Sequence, residues 1–148
     1  MMEGDDMGLL SANQRQVGGD HYKNGQLEHW DLIERYGIGY LEGCATKYVA
    51  RWRKKNGLQD LEKADHYVQK LIELYDEGVR LPRGVVPHDV IAEFCRVNGC
   101  DAVEGGALHM LLHWSTRAHL VEAQRDIRSL IASCSMRSSY GTSQDVSL

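Results

Sequence analysis

The strongest constraint on the fold lies between residues 42 and 72, where two apolar seams of helical period flank a single helix-ending pair. Leu41, Cys44, Ala45, Tyr48, Val49 and Trp52 recur at three- and four-residue intervals and predict one buried helix face. Asn56-Gly57 tolerates the left-handed conformation that stops a helix, so the chain reverses there. Leu61, Ala64, Val68, Leu71, Ile72 and Tyr75 supply the facing seam. Both seams leave water only if the segment folds as an antiparallel helical hairpin. Lys47, Arg51, Lys54 and Lys55 form a stripe beside the first seam, and Asp60, Lys63 and Tyr67 share the bordering shoulder of the second helix. One reading is purely structural: cations at the end of one helix and an acid at the start of the next complement the helix dipoles, contributing at most about 1 kcal/mol. The other is a site for a phosphate-sized anion, with Asp60 holding or orienting the cations.

The 148 residues suffice for one ordinary domain or two small halves sharing a core. Two prolines and few β-branched runs favour helices. A net charge of −4 argues against general nucleic-acid binding, whereas a local basic stripe on an acidic chain suits a small anionic ligand. Cys44, Cys95, Cys100 and Cys134 form no CxxC pair and no zinc spacing, so reduced thiols in a cytoplasm are expected. The chain shows no apolar run long enough to span a membrane and no secretory leader pattern.

Residues 1–16 lack a period and are expected to be a flexible tail. In VGGDHYKNGQLEHW, turn signals flank His21 and Tyr22, a loop that could fold over a ligand held by the hairpin. His21 could titrate near neutral pH and act in catalysis, or simply bond nearby backbone. No phosphate-binding glycine motif of the P-loop type is present. Glu28 to Tyr36 reads as a first helix burying Trp30, Leu32, Ile33 and Tyr36, and Leu81-Pro82-Arg83-Gly84 as a linker.

The second half echoes the first. Glu104-to-Trp114 matches Glu42-to-Trp52 at an offset of 62, with Glu, Gly, Ala and Trp shared. After a three-residue deletion at the turn, Leu61, Ala64, Val68, Leu71 and Ile72 meet Leu120, Ala123, Ile127, Leu130 and Ile131. Asp89 to Val97 takes the place of the first helix. These correspondences predict an all-α helical bundle of two pseudo-repeated three-helix units, 17–79 and 80–134, around a pseudo-twofold core. In the second unit His109, Met110 and His113 replace Lys47, Tyr48 and Arg51, and His119 and Glu122 replace Asp60 and Lys63. The i, i+4 histidines have metal-binding spacing but lack the HExxH glutamate, which favours packing or polar-edge roles. The Ser-rich residues 135–148 are expected to form a disordered tail.

The pattern HY, then GxxxKYxxRxxxK, then DLxKAxxY across roughly residues 17 to 75 resembles a small family of phages and prophages, largely of unknown function. That family includes a podophage kinase of deoxynucleoside monophosphates. Its motif residues fall here on His21, Tyr22, Gly43, Lys47, Tyr48, Arg51, Lys54, Asp60, Lys63 and Tyr67, while Cys44 stands where relatives commonly have Asn. The resemblance implies a nucleotide-binding phage protein of the host cytoplasm, a homo-oligomer, and phosphoryl transfer with magnesium. Lys47, Arg51 and Lys54 would neutralise phosphate, Asp60 would hold magnesium through water or orient the cations, and Tyr67, Tyr48 or Trp52 would stack on the base. Two alternatives stay open: a non-catalytic phage protein sequestering a nucleotide signal against host defence, and an interaction module for an acidic partner surface. Only Asp60 is a convincing magnesium carboxylate, which weakens the enzyme reading.

Overall fold

The computed structural model describes residues 27–147, with side chains through 136; the expected N-terminal tail and the His21-Tyr22 loop lie outside the described residues. Among those described the chain is all-α. The helices are α1 (His29–Arg35), α2 (Tyr40–Arg51), α3 (Leu58–Asp76), α4 (His88–Asn98), α5 (Ala102–Leu112) and α6 (Arg117–Ser147), with a short 3-10 turn at Trp52–Lys54. α2 packs on α3 and α5, and α6 packs on both α3 and α5, so these four close a bundle. α1 lies against α2, and α4 against α5 and α2.

The core follows the apolar periods closely. Ala45 and Val49 of α2 meet Ala64, Val68 and Leu71 of α3, Ala107, Leu108 and Leu111 of α5, and Leu120, Ala123 and Ile127 of α6. Removing this apolar surface from water, at about 25 cal/mol per Å², is the main term holding the bundle. The buried face of α2 is rotated from the purely apolar one, because Glu42 and Thr46 are inside while Leu41, Cys44 and Tyr48 are half-buried. One other expectation is corrected: Trp30 is 51% exposed, and Leu32, with Ile33 and Tyr36 beside it, is what α1 sends to the core. The helix α6 runs through Ser147.

Two buried carboxylates join the halves. Glu42, at the start of α2, accepts two hydrogen bonds from Arg80 (3.0 and 2.7 Å) and one from the Trp114 indole at 2.7 Å. Glu104, at the start of α5, accepts from the Trp52 indole at 2.6 Å and from Arg53 at 2.8 Å. Its other oxygen accepts from the N–H of Asp101, whose carboxylate caps the Glu104 N–H in return, both at 2.8 Å. Each buried acid is thus satisfied by an arginine and by the tryptophan of the opposite half, which makes its burial tolerable. Gly39 makes room for the first network, since a Cβ there would lie 2.5 Å from an Arg80 nitrogen and 2.7 Å from Glu42.

Candidate functional site

Charged and aromatic residues of the α2–α3 hairpin converge on the ring of Tyr48, which like Tyr67 also packs against the edge of the core. Lys47 and Arg51 flank Tyr48 on α2, and Lys63 and Tyr67 face it from α3 one helical turn apart. The Lys47 Nζ lies 4.7 Å from the Tyr48 ring centre, the Arg51 guanidinium 4.8 Å and the Lys63 Nζ 5.4 Å. All three are within cation–π reach of one ring. Tyr67 stacks on Tyr48 at 6.0 Å and 16°, and the exposed Tyr40 meets Tyr67 edge-on at 6.1 Å. Hydrogen bonds to Cys44 and Tyr67 push the Tyr40 phenol up to about 12, so it is neutral across the ordinary pH range.

The accompanying anion is Asp60, and it is fully buried. One of its oxygens accepts from the Asn56 N–H at 3.2 Å and lies 3.4 Å from Arg51 Nε; the other lies 3.5 Å from the Asn56 side-chain amide. Asp60 thus ties the interhelical turn to α3 and lies beside Arg51, with no side-chain surface exposed. Arg51 Nε is itself buried and makes no hydrogen bond among the described residues. Close by, His29 Nε2 and the Thr46 hydroxyl share a hydrogen bond of 2.8 Å, and the same hydroxyl lies 2.8 Å from the Glu42 carbonyl. Burial and then the Lys47 charge push the His29 imidazole down to about 4. The cluster sets Lys47, Arg51 and Lys63 against the sequestered Asp60, beside an aromatic pair.

Lys47, Tyr48, Arg51, Asp60, Lys63 and Tyr67 thus come together, and His21 and Tyr22 fall outside the described residues. Lys54 does not join them. The 3-10 turn carries it to a separate cleft of about 250 Å³, lined also by Arg53, Arg96 and Asn98. Trp52 is excluded as a stacking platform, because it is 8% exposed, bonded to Glu104 and covered by Arg53 at 4.8 Å. Periodicity does not single out Tyr40, which precedes the seam, and a lone histidine in a first turn, such as His29, carries no signal.

On α5 and its C-cap, His109 and His113 stand at the positions aligned in sequence with Lys47 and Arg51. His88, the first residue of α4, shares a hydrogen bond with His109 between their Nδ1 atoms at 2.8 Å and stacks on His113 at 4.0 Å. His113 Nδ1 donates to the Val86 carbonyl at 2.9 Å. Burial, helped by the two neighbouring imidazoles, holds His109 below the ordinary histidine range. Among the described residues no group of three His, Cys, Asp or Glu converges to hold a metal ion.

Comparison with known proteins adds one finding. Residues 17–69 match DUF3310, a family described as proteins of unknown function. The match takes in α1, α2 and most of α3, hence every residue of the Tyr48 cluster, and stops short of the second half. No curated protein and no solved structure matches the chain.

Proposed function

We propose that the α2–α3 hairpin binds a small phosphate-bearing ligand, and that a nucleotide suits it best. The observation that carries this reading is the crowding of Lys47, Arg51 and Lys63 around one tyrosine, with the nearby carboxylate of Asp60 withdrawn into the core. Like charges held this close repel, and the Tyr48 face offsets only about 0.5–2 kcal/mol of that per cation. A phosphate would neutralise them, each charge-assisted hydrogen bond contributing on the order of 1.5–3 kcal/mol. The stepped array of Tyr48, Tyr67 and Tyr40 offers an aromatic surface for a base beside the cations.

Binding without turnover is the form best supported, because Asp60 is committed to Arg51 and the turn. Such a protein could sequester a nucleotide signal, as the resemblance to phage proteins allows. A kinase of nucleoside monophosphates would need further groups, with His21 the motif residue available to supply one. The test is calorimetry of the full chain against inorganic phosphate and nucleoside mono-, di- and triphosphates, repeated with Lys47→Ala and Arg51→Ala. Binding lost in the variants and no transfer from triphosphate to monophosphate with magnesium is the expected result. Binding of none of these ligands, or equal affinity in both variants, rules the site out.

We also infer that the two halves are diverged copies. The exchanged Glu–Trp bonds, with Glu42 held by Trp114 and Glu104 by Trp52, support this. So do the first residues of α1 and α4, both histidines, each beside the residue at the matching position of the next helix: His29 near Lys47, His88 near His109.

A further inference from the structure

Helix α4 ends on a left-handed glycine. Gly99 has φ +68°, its N–H bonds the Arg96 carbonyl at 3.3 Å, and the Cys100 N–H bonds the Cys95 carbonyl at 3.0 Å. In this Schellman arrangement the side chains of the two residues whose bond closes the wider, six-residue loop, Cys95 and Cys100, meet across the cap, and the contact is usually apolar. Here both are cysteines. The Cys95 and Cys100 thiols are free, half-buried at the edge of the core, and interact with one another. Cys95 also leans on α5, where a Cβ added to Gly105 would lie 3.7 Å from its Sγ. A backbone hydrogen bond between the two residues keeps their Cα atoms within the roughly 4.4–6.8 Å that a disulfide spans.

We propose that Cys95 and Cys100 form a dithiol modification site that closes to an intramolecular disulfide on reaction with a small disulfide of the oxidised-glutathione type. Cys95 is the attacking thiol, since the hydrogen bond from Cys100 holds it below the ordinary cysteine range. The same bond, reinforced by burial, pushes the Cys100 thiol up and keeps it protonated. The Cys95 thiolate attacks one sulfur of the small disulfide, whose S–S bond breaks, and the departing thiolate takes up a proton. The Cys100 sulfur then loses its proton to solvent and attacks the Cys95 sulfur of the mixed disulfide, expelling the second small thiol. Two protein thiols are oxidised to one disulfide and one small disulfide is reduced to two thiols. Cys44, engaged with Tyr40, and Cys134 on α6 serve as internal controls.

The experiment equilibrates the reduced full-length chain with graded ratios of reduced and oxidised glutathione, quenches with acid, labels remaining thiols with a maleimide and maps peptides by mass spectrometry. The expected result is loss of two hydrogens and of label from the peptide holding Cys95 and Cys100, reversed by dithiothreitol, while Cys44 and Cys134 stay labelled. Cys100→Ser should stop at a glutathione adduct on Cys95, and Cys95→Ser should give neither adduct nor bridge. Equal labelling of all four cysteines at every ratio, or a bridge joining any other pair, overturns the proposal. The wild-type chain decides between these outcomes by itself, so a substitution that unfolds the protein does not blunt the test.

Discussion

Midway along α2, Lys47 and Arg51 crowd the face of Tyr48; at the matching turn of α5 stand His109, Met110 and His113. Beneath these surfaces the two hairpins do the same thing. Each opens on a buried glutamate, closes on a tryptophan, and sends that indole to the other hairpin's acid. They differ on the outward stripe, where permanent cations stand on α2 and, at α5, His109 bonds His88 and His113 bonds the Val86 carbonyl. The shared feature ties the two halves to each other, and the differing one is where we place the ligand.

The largest effect is expected where the halves agree. Glu42→Ala strands Arg80, only 11% exposed, and the Trp114 indole in the core, and should cost on the order of 3–5 kcal/mol in urea unfolding. Glu104→Ala should cost less, because its arginine partner Arg53 is 50% exposed and can be rehydrated. Equal losses would erase this asymmetry between the halves. Arg51→Ala should lower nucleotide affinity by about 1.5–3 kcal/mol, roughly 10- to 100-fold by calorimetry, while His113→Ala at the matching position leaves it unchanged.

The third effect is on pH dependence. His29 is held neutral in the fold, with its pKa lowered from 6.5 to about 4. Above pH 6.5 both folded and unfolded chains carry it uncharged, and it contributes no slope. As pH falls from 6.5 towards 4 the unfolded chain takes up a proton that the folded one refuses, so stability declines over that window and levels off below it. The loss should be on the order of 1–3 kcal/mol. His29→Gln should flatten the window in urea titrations at pH 7, 6, 5 and 4, and an unchanged slope would remove His29 as its cause. The smallest effect is expected from replacing His109 and His113 together by Ala. Ligand affinity should hold, with about 0.5–1.5 kcal/mol lost from the bond to Val86. Wild-type stability with abolished binding would move the site to the second half.

The helices, their turn at Asn56-Gly57 and the grouping of Lys47, Tyr48, Arg51, Lys63 and Tyr67 were legible because period and spacing place side chains on a helix surface without knowledge of the partner. What depends on the partner was not legible. Glu42 and Glu104 look like ordinary first-turn acids beside a helix dipole, and only the opposite half reveals that they are buried. Trp52 looks like a platform for a base until Glu104 takes its indole N–H. Lys54 continues the basic stripe only if α2 continues; the chain tightens to a 3-10 turn at Trp52 and swings it away. Asp60 is legible as a first-turn acid but not as a partner of the Asn56 N–H, because that link belongs to the turn and not to either helix.

The exchange of indoles between halves also sets an order of events at the ribosome. Glu42 and its indole partner Trp114 are 72 residues apart, an interval that takes roughly 4–14 s to synthesise. Trp52 likewise waits for Glu104, 52 residues downstream. Until those residues emerge, the hairpin that carries the cations exists without the groups that satisfy its ends, and Glu42 stays hydrated with Arg80 as its early companion. The half made first therefore completes its core only when the half made second arrives, and the cationic hairpin matures late in translation although its own residues are made early.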